Sequence, residues 1–335
     1  MGIFMQQIII GENEAGQRFE KYLHKFFPSA AASFLFKMLR KKNIVLNGRK
    51  ADGKEMLQTG DCVKLFLADE TIIKFGGRLY TDQNLPAITE YEQAYHMLSG
   101  IEVILENQHV VVLNKPVGIL TQKAQKQDLS LNEWLIGYLL VQKAVTRETL
   151  HTYKPSVCNR LDRNTSGMVL CAKSLTGSQR LSLMLKERTL HKFYHLLVLG
   201  RVQEKAEIRG FLEKDKKNNL VKITQNPNDQ PIITQYTPLE VKQDITFLEV
   251  ELITGKTHQI RAHLASIGHP LIGDYKYGSS KANPYYKERY HVESQLLHAC
   301  RLEFPACEPP LTDMSGLTLT AKEPAVFAQI LKHEK

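Results

Sequence analysis

The feature that most constrains this chain is the crowd of short strand-like runs in its second half. Val110 to Leu113 is continuously apolar, as in a strand buried on both faces, and Asn114-Lys115-Pro116-Val117-Gly118 ends it in a turn. Met168 to Ala172, His195 to Leu199, Leu220 to Thr224, Ile232 to Tyr236 and Phe247 to Ile253 read as further strands. Leu129 to Leu140 is helix-like, and Gln179 to Lys186 places Leu181, Met184 and Leu185 on one helical face. Strands in unbroken succession, without a repeat of fixed period, predict a mixed α+β domain beginning near residue 99.

The first 75 residues read differently. Phe19, Tyr22, Leu23, Phe26 and Phe27 fall on one helical face, and Pro28-Ser29 interrupts it. A second helix carries Phe34, Leu35, Met38 and Leu39, with Lys37, Arg40, Lys41 and Lys42 gathered at its end, where cations suit the helix dipole. Ile44-Val45-Leu46, the turn Asn47-Gly48 and the alternation of Val63, Leu65 and Leu67 predict small returning strands. A solvated helix end explains such a basic cluster as well as an RNA-binding face does. The segment from Gly16 to Leu67, however, resembles the S4-type RNA-binding module through Leu39-Arg40-Lys41-Lys42, Val45-Leu46-Asn47-Gly48 and Leu57-Gln58-Thr59-Gly60-Asp61-Cys62-Val63. A domain over 12–75, a linker over 76–98 that includes the polar Thr81-Asp82-Gln83-Asn84, and a second domain over 99–335 are expected.

Lys and Arg number 44 against 35 Asp and Glu, a net charge of +9, which favours a polyanionic partner. Five scattered cysteines with no C-x-x-C pair fit a reducing cytoplasm. The opening residues lack the pattern of a secretion or lipid-anchor signal, and no run of about 18 apolar residues occurs, so no membrane association is expected.

Three constellations carry chemistry. In Asn159-Arg160-Leu161-Asp162-Arg163-Asn164-Thr165-Ser166-Gly167, a carboxylate flanked by two cations sits on a turn before a strand. A turn Asp more often caps its own backbone, but an ionised carboxylate is also a nucleophile. In His191-Lys192-Phe193-Tyr194-His195, period-2 alternation puts Lys192 and Tyr194 on one face and Phe193 on the other. The third run is Gly255-Lys256-Thr257-His258-Gln259-Ile260-Arg261-Ala262-His263, continuing through Gly268-His269-Pro270-Leu271-Ile272-Gly273-Asp274. His258, His263 and His269 lack acidic or thiol partners at a ligand spacing, so no metal is expected there.

Together these runs resemble the pseudouridine synthases of the large-subunit ribosomal RNA type. The family's R-L-D-x-x-T-S-G motif appears as Arg160 to Gly167, its K-x-Y motif as Lys192 to Tyr194, and its G-[RK]-x-H-Q-[IL]-R-x-H motif as Gly255 to His263. His269 to Asp274 and Leu297-His298-Ala299 match as well. Two departures are Asn159, where His is common, and Lys256, where Arg is commoner.

The resemblance implies a mainly antiparallel β-sheet catalytic domain that isomerises uridine in RNA, breaking the N1–C1′ bond and rejoining the base through C5. That reaction needs no cofactor and no metal. It implies Asp162 as the catalytic carboxylate, Arg261 as its ion-pair partner, and Tyr194 as the ring against uracil and an aid to C5 deprotonation. Contacts to RNA are expected from Arg40, Lys41, Lys42, Lys115, Arg160, Arg163, Lys192, His258 and Gln259. The implied substrate is 23S ribosomal RNA, with transfer RNA the alternative; the cysteine usage leads to the expectation of a cytoplasmic protein, and a monomer is the default expectation. A catalytically inactive RNA-binding protein and a glycosylase remain alternatives. The first is opposed by the presence of Asp162 and Arg261, the second by the lack of another carboxylate in the Asp162 motif.

Overall fold

The computed structural model describes residues 5–77, 89–147, 149–215 and 220–334. Thr81 to Asn84 of the expected linker lie outside them. The N-terminal part holds strand β1 (Met5–Ile9), helices α1 (Phe19–Phe26) and α2 (Ala32–Arg40), strands β2 (Ile44–Leu46), β3 (Arg49–Lys50) and β4 (Cys62–Phe66), and helix α3 (Asp69–Lys74). Its strands form one antiparallel sheet in the order β1-β4-β2-β3. Phe19, Tyr22, Leu23 and Phe26 of α1 pack with Leu35, Met38 and Leu39 of α2 over Ile44, Val63 and Leu65, as the apolar spacing requires. Asn47 and Gly48 both take positive φ, the conformation a two-residue hairpin needs.

This part starts earlier than the expected residue 12, because β1 pairs with β4 from Met5↔Phe66 to Ile9↔Cys62. As an edge strand it buries Ile8 while Ile9 stays exposed, too little alternation to be read from sequence.

The remaining elements are helix α4 (Thr89–Met97), strands β5 (Glu102–Glu106) and β6 (Val110–Lys115), helix α5 (Leu131–Val141), strands β7 (Ser156–Val157) and β8 (Ser166–Ala172), helix α6 (Leu175–Glu187), strands β9 (His191–Leu199), β10 (Ala206–Asp215), β11 (Leu220–Thr224), β12 (Gln230–Val241) and β13 (Ile245–Glu251), helices α7 (Gln259–Ser266) and α8 (Asn283–Tyr290), strands β14 (Leu297–Glu303) and β15 (Thr318–Thr320), and helix α9 (Ala325–His333). The expectation of a linker over 76–98 is corrected by α4. Its Thr-Glu-Tyr-Glu-Gln start is polar, yet Ala94 is fully buried and Tyr95 packs 5.7 Å from Trp134 of α5. Gly137 of α5 permits this, since a Cβ there would lie 2.2 Å from the Tyr91 carbonyl oxygen.

Among the described residues, eleven strands form one sheet in the order β11-β10-β12-β13-β9-β14-β8-β6-β5, with β15 beside β14 and β7 beside β8. Every pairing is antiparallel except β14 with β8. Strand β14, late in the chain, therefore enters between β9 and β8 and holds their ends at a fixed separation. The pairing Ala299↔Gly167 is so close that a Cβ on Gly167, whose φ is +111°, would stand 2.4 Å from the Ala299 backbone N and O. Gly167→Ala should therefore destabilise the fold by about 3 kcal/mol or more, read as a lowered urea midpoint. An unchanged midpoint would show that the β8–β14 junction yields. None of the described helices is long and apolar enough to cross a membrane.

Candidate active site

The turn from Arg160 to Gly167 leads into β8 and is clamped from both sides. Thr121 Oγ1 donates to the Leu161 carbonyl at 2.8 Å and accepts from the Leu161 N–H at 3.2 Å. The Gly118 N–H donates to the Arg163 carbonyl at 2.9 Å, and Arg163 Nε returns a bond to the Gly118 carbonyl at 2.9 Å. Gln295 Nε2 donates to Thr165 Oγ1 at 3.2 Å within the buried interior. Asn159 Oδ1 accepts from the Leu170 N–H at 2.7 Å, fixing the approach to the turn. These bonds leave the Asp162 side chain 28% exposed, turned toward a cleft.

Arg261 reaches Asp162 from α7, its Nη1 donating to Asp162 Oδ2 at 3.0 Å. Its other two donors form a fork on Asp274, Nε to Oδ2 at 2.6 Å and Nη2 to Oδ1 at 2.8 Å. Burial raises the Asp274 carboxyl, but the Arg261 hydrogen bonds and charge, with the Tyr277 and Lys276 N–H groups, outweigh it and hold the group below its ordinary value. Three-point anchoring fixes where the guanidinium meets Asp162, which a flexible lysine would not do. Asp274 had no role assigned from sequence, although the His269 to Asp274 run contains it. What makes it the partner is the return of the chain after α7, which sequence separation does not show.

Tyr194 of β9 is 6% exposed and lines the same cleft. Burial, followed by the Asp162 charge, pushes its hydroxyl well above the ordinary tyrosine value, so it keeps its proton at neutral pH. Lys192 shares the Tyr194 face and the cleft, while Phe193 on the other face lies 3.6 Å below the Arg301 guanidinium. The cleft has a volume of about 1080 Å³ and among the described residues is lined by seven Lys or Arg, including Arg160, Arg163, Lys192 and Lys256, against two carboxylates, Asp162 and Glu293. Such a wall attracts a polyanion.

Other candidates from the sequence are distributed differently. His258 is buried at the cleft floor in a left-handed conformation, φ 54°, with Nε2 3.7 Å from Asp162 Oδ2 and Nδ1 2.9 Å from the Tyr277 hydroxyl. Arg40, Lys41 and Lys42 are exposed at the end of α2, outside the cleft lining. Two expectations are corrected. Lys115 is fully buried, and its ammonium donates to the carbonyls of Pro116, Ile119 and Arg163, so it braces the Asp162 turn rather than meeting phosphate. Burial pushes it down to about 7 against the partial offset of Asp162. Gln259 is likewise consumed within the protein, donating to the Ile233 carbonyl and Thr234 and accepting from Thr254 and the Lys256 N–H. His263 Nδ1 meets Thr234 and His269 Nδ1 the Leu199 carbonyl, so the three histidines of the α7 region do not converge.

The RNA pseudouridylate synthase family model matches residues 109–266. Ribosomal large subunit pseudouridine synthase C of Rickettsia bellii is 31% identical over 298 residues, covering 87% of this chain and 92% of that protein. The protein of the same description from Vibrio cholerae is 29% identical over 311 residues, 92% of this chain and 91% of its own length. The solved structure of human RNA pseudouridylate synthase domain containing 4 shares the fold at a TM-score of 0.56 and 20% identity, over 73% of this chain and 96% of that one.

Proposed function

The chain belongs to the RNA pseudouridylate synthase family and is an RNA pseudouridine synthase, and from that premise we propose that it isomerises uridines of 23S ribosomal RNA with Asp162 as the catalytic carboxylate. The observation that carries the assignment is the Asp162 carboxylate held 3.0 Å from Arg261, beside Tyr194, in a cleft walled by cations. The target uridine leaves its stack, at a cost of a few kcal/mol, and enters the cleft while flanking phosphates meet Arg160, Arg163 and Lys192. Asp162 acts at the sugar, by attack on C1′ or removal of a sugar proton, and the Arg261 hydrogen bond aims it. The N1–C1′ bond breaks, the freed base turns against the Tyr194 ring and C5 bonds to C1′, and the C5 proton then leaves to water in the open cleft while N1 takes one up. Because the Tyr194 hydroxyl stays protonated, it serves as wall and hydrogen-bond donor rather than as the base for the C5 proton. Tyr194→Phe should then lower kcat about 100-fold with little change in RNA affinity. Equal losses in both would reduce Tyr194 to packing.

Ribosomal RNA is favoured by the names of the relatives and by the S4-like basic segment. We place the enzyme in the cytoplasm as a monomer. The test is pseudouridine mapping of total RNA from cells with and without the gene, by carbodiimide adducts and primer extension. Loss of sites in 23S RNA, restored by wild type and not by Asp162→Asn, supports the reading. Loss confined to transfer RNA would replace the substrate. Replacing Arg40, Lys41 and Lys42 together by Gln should flatten the dependence of log affinity on log salt by about two to three. An unchanged slope would make that cluster a solvated helix end.

A further inference from the structure

Behind Tyr194, on the face of the sheet turned away from the cleft, three neighbouring strands bring together His195, Glu249 and Cys300. Glu249 of β13 pairs directly with His195 of β9. On the other side β9 pairs with β14, Ala299↔Tyr194 and then Arg301↔Phe193, which makes Cys300 the extra residue of a β-bulge. A bulge re-aims a side chain, and here it adds a thiol to the face that period-2 alternation gives to His195. One nitrogen, one carboxylate oxygen and one sulfur from the three residues all lie within 4.8 Å of one another.

The hydrogen bonds around His195 decide how the cluster is read. Glu323 binds His195 at Nδ1, so this ring nitrogen carries the proton. In the neutral ring Nε2 then presents a lone pair, and Glu249 Oε2 faces it at 3.4 Å. Two lone pairs oppose each other unless a proton or a cation stands between them. A separation of about 3.4 Å is what two ligands at about 2.0–2.1 Å from one tetrahedral zinc ion would have. The other Glu249 oxygen is held by Arg301 Nη2 at 2.8 Å, which orients the carboxylate. Arg301 also binds Glu303, so Glu249 and Glu303 face one guanidinium, while Glu323 is held by His195. With the imidazole ring neutral, the carboxylates around the cluster outnumber its one guanidinium, which favours a cation.

We propose that His195, Glu249 and Cys300 bind a zinc ion, with Glu323 as the carboxylate that orients the histidine and water in the fourth position. A thiolate, an imidazole and a carboxylate form a donor set suited to zinc rather than to magnesium or calcium. Binding replaces the Cys300 thiol proton, which leaves to solvent, and no electron is transferred. The ion takes no part in isomerisation. It pins β13, β9 and β14 directly behind Tyr194, where β9 must hold its register for the ring to face the cleft.

The test uses the full-length chain, stripped with a chelator, loaded with zinc and freed of excess by gel filtration before elemental analysis. One equivalent should be retained, and Cys300→Ser and His195→Gln should each lose it while circular dichroism stays native. Cobalt(II) in place of zinc should give thiolate charge-transfer absorption that vanishes in Cys300→Ser. Glu323→Gln should weaken zinc binding by about 10- to 100-fold, as loss of an outer carboxylate does. Failure to retain zinc, or retention that ignores both Cys300 and His195, would overturn the site. The Cys300→Ser readout is spectroscopic, so it holds apart from any effect on activity.

Discussion

Asp162→Asn should abolish pseudouridine formation, with kcat down by about 10⁴-fold or more, while RNA affinity and fold stability change little. The structure separates these quantities. Asp162 is partly exposed at the end of a clamped turn, and Arg261 retains both bonds to Asp274 when Asp162 becomes neutral. No buried charge is left without a partner, so stability should shift by less than about 1–2 kcal/mol. Single-turnover assays on a 23S fragment, beside filter binding of the same RNA, measure both. Substantial residual turnover would remove Asp162 from the mechanism, and a large loss of binding would make it a recognition residue.

Arg261→Met should have the opposite signature, costing both activity and about 3–5 kcal/mol of stability. Asp274 has no exposed side-chain surface, and losing the guanidinium would take away both of its Arg261 bonds and leave its carboxylate to such partners as the Lys276 and Tyr277 backbone N–H groups. Urea unfolding at pH 7 measures the loss; a midpoint within experimental error of wild type would mean that Asp274 escapes its charge by other means. The same pair gives a pH dependence. Because the Asp274 carboxyl lies below its ordinary value when folded, its contribution is full above about pH 4, the unfolded value, and is lost as pH falls through the folded one. Wild type and Asp274→Asn should therefore differ in stability at neutral pH and converge in acid.

Much of this was legible in the residues themselves. The α1 and α2 faces, the Asn47-Gly48 hairpin, the buried run of β6 and the strands β8, β9, β11, β12 and β13 follow from local periodicity, because each is stabilised by which side chains recur at 3.6 or 2 residues, whereas β10 was not read from it. Helix α4 and strand β1 were not legible, since α4 looks polar until α5 covers Ala94 and β1 is an edge that buries alternate residues weakly. The identities of Asp162, Tyr194 and Arg261 as one constellation came from motif order, and their convergence on one cleft agrees with it.

Sequence by itself pointed to the family, to many of the local elements and to three candidate side chains for the site, because residue type, spacing and motif order encode hydrophobic faces and chemical groups. Only the tertiary structure decided how the cations divide. Lys115 and Arg163 are both cations near Asp162 in the fold, yet one is sealed under three carbonyls and the other stands at the cleft. It likewise decided that Arg261 is gripped by Asp274, and that β14 crosses between β8 and β9 to set the distance between Asp162 and Tyr194. Burial and long-range pairing depend on what the rest of the chain places around a residue, and no local pattern carries that information.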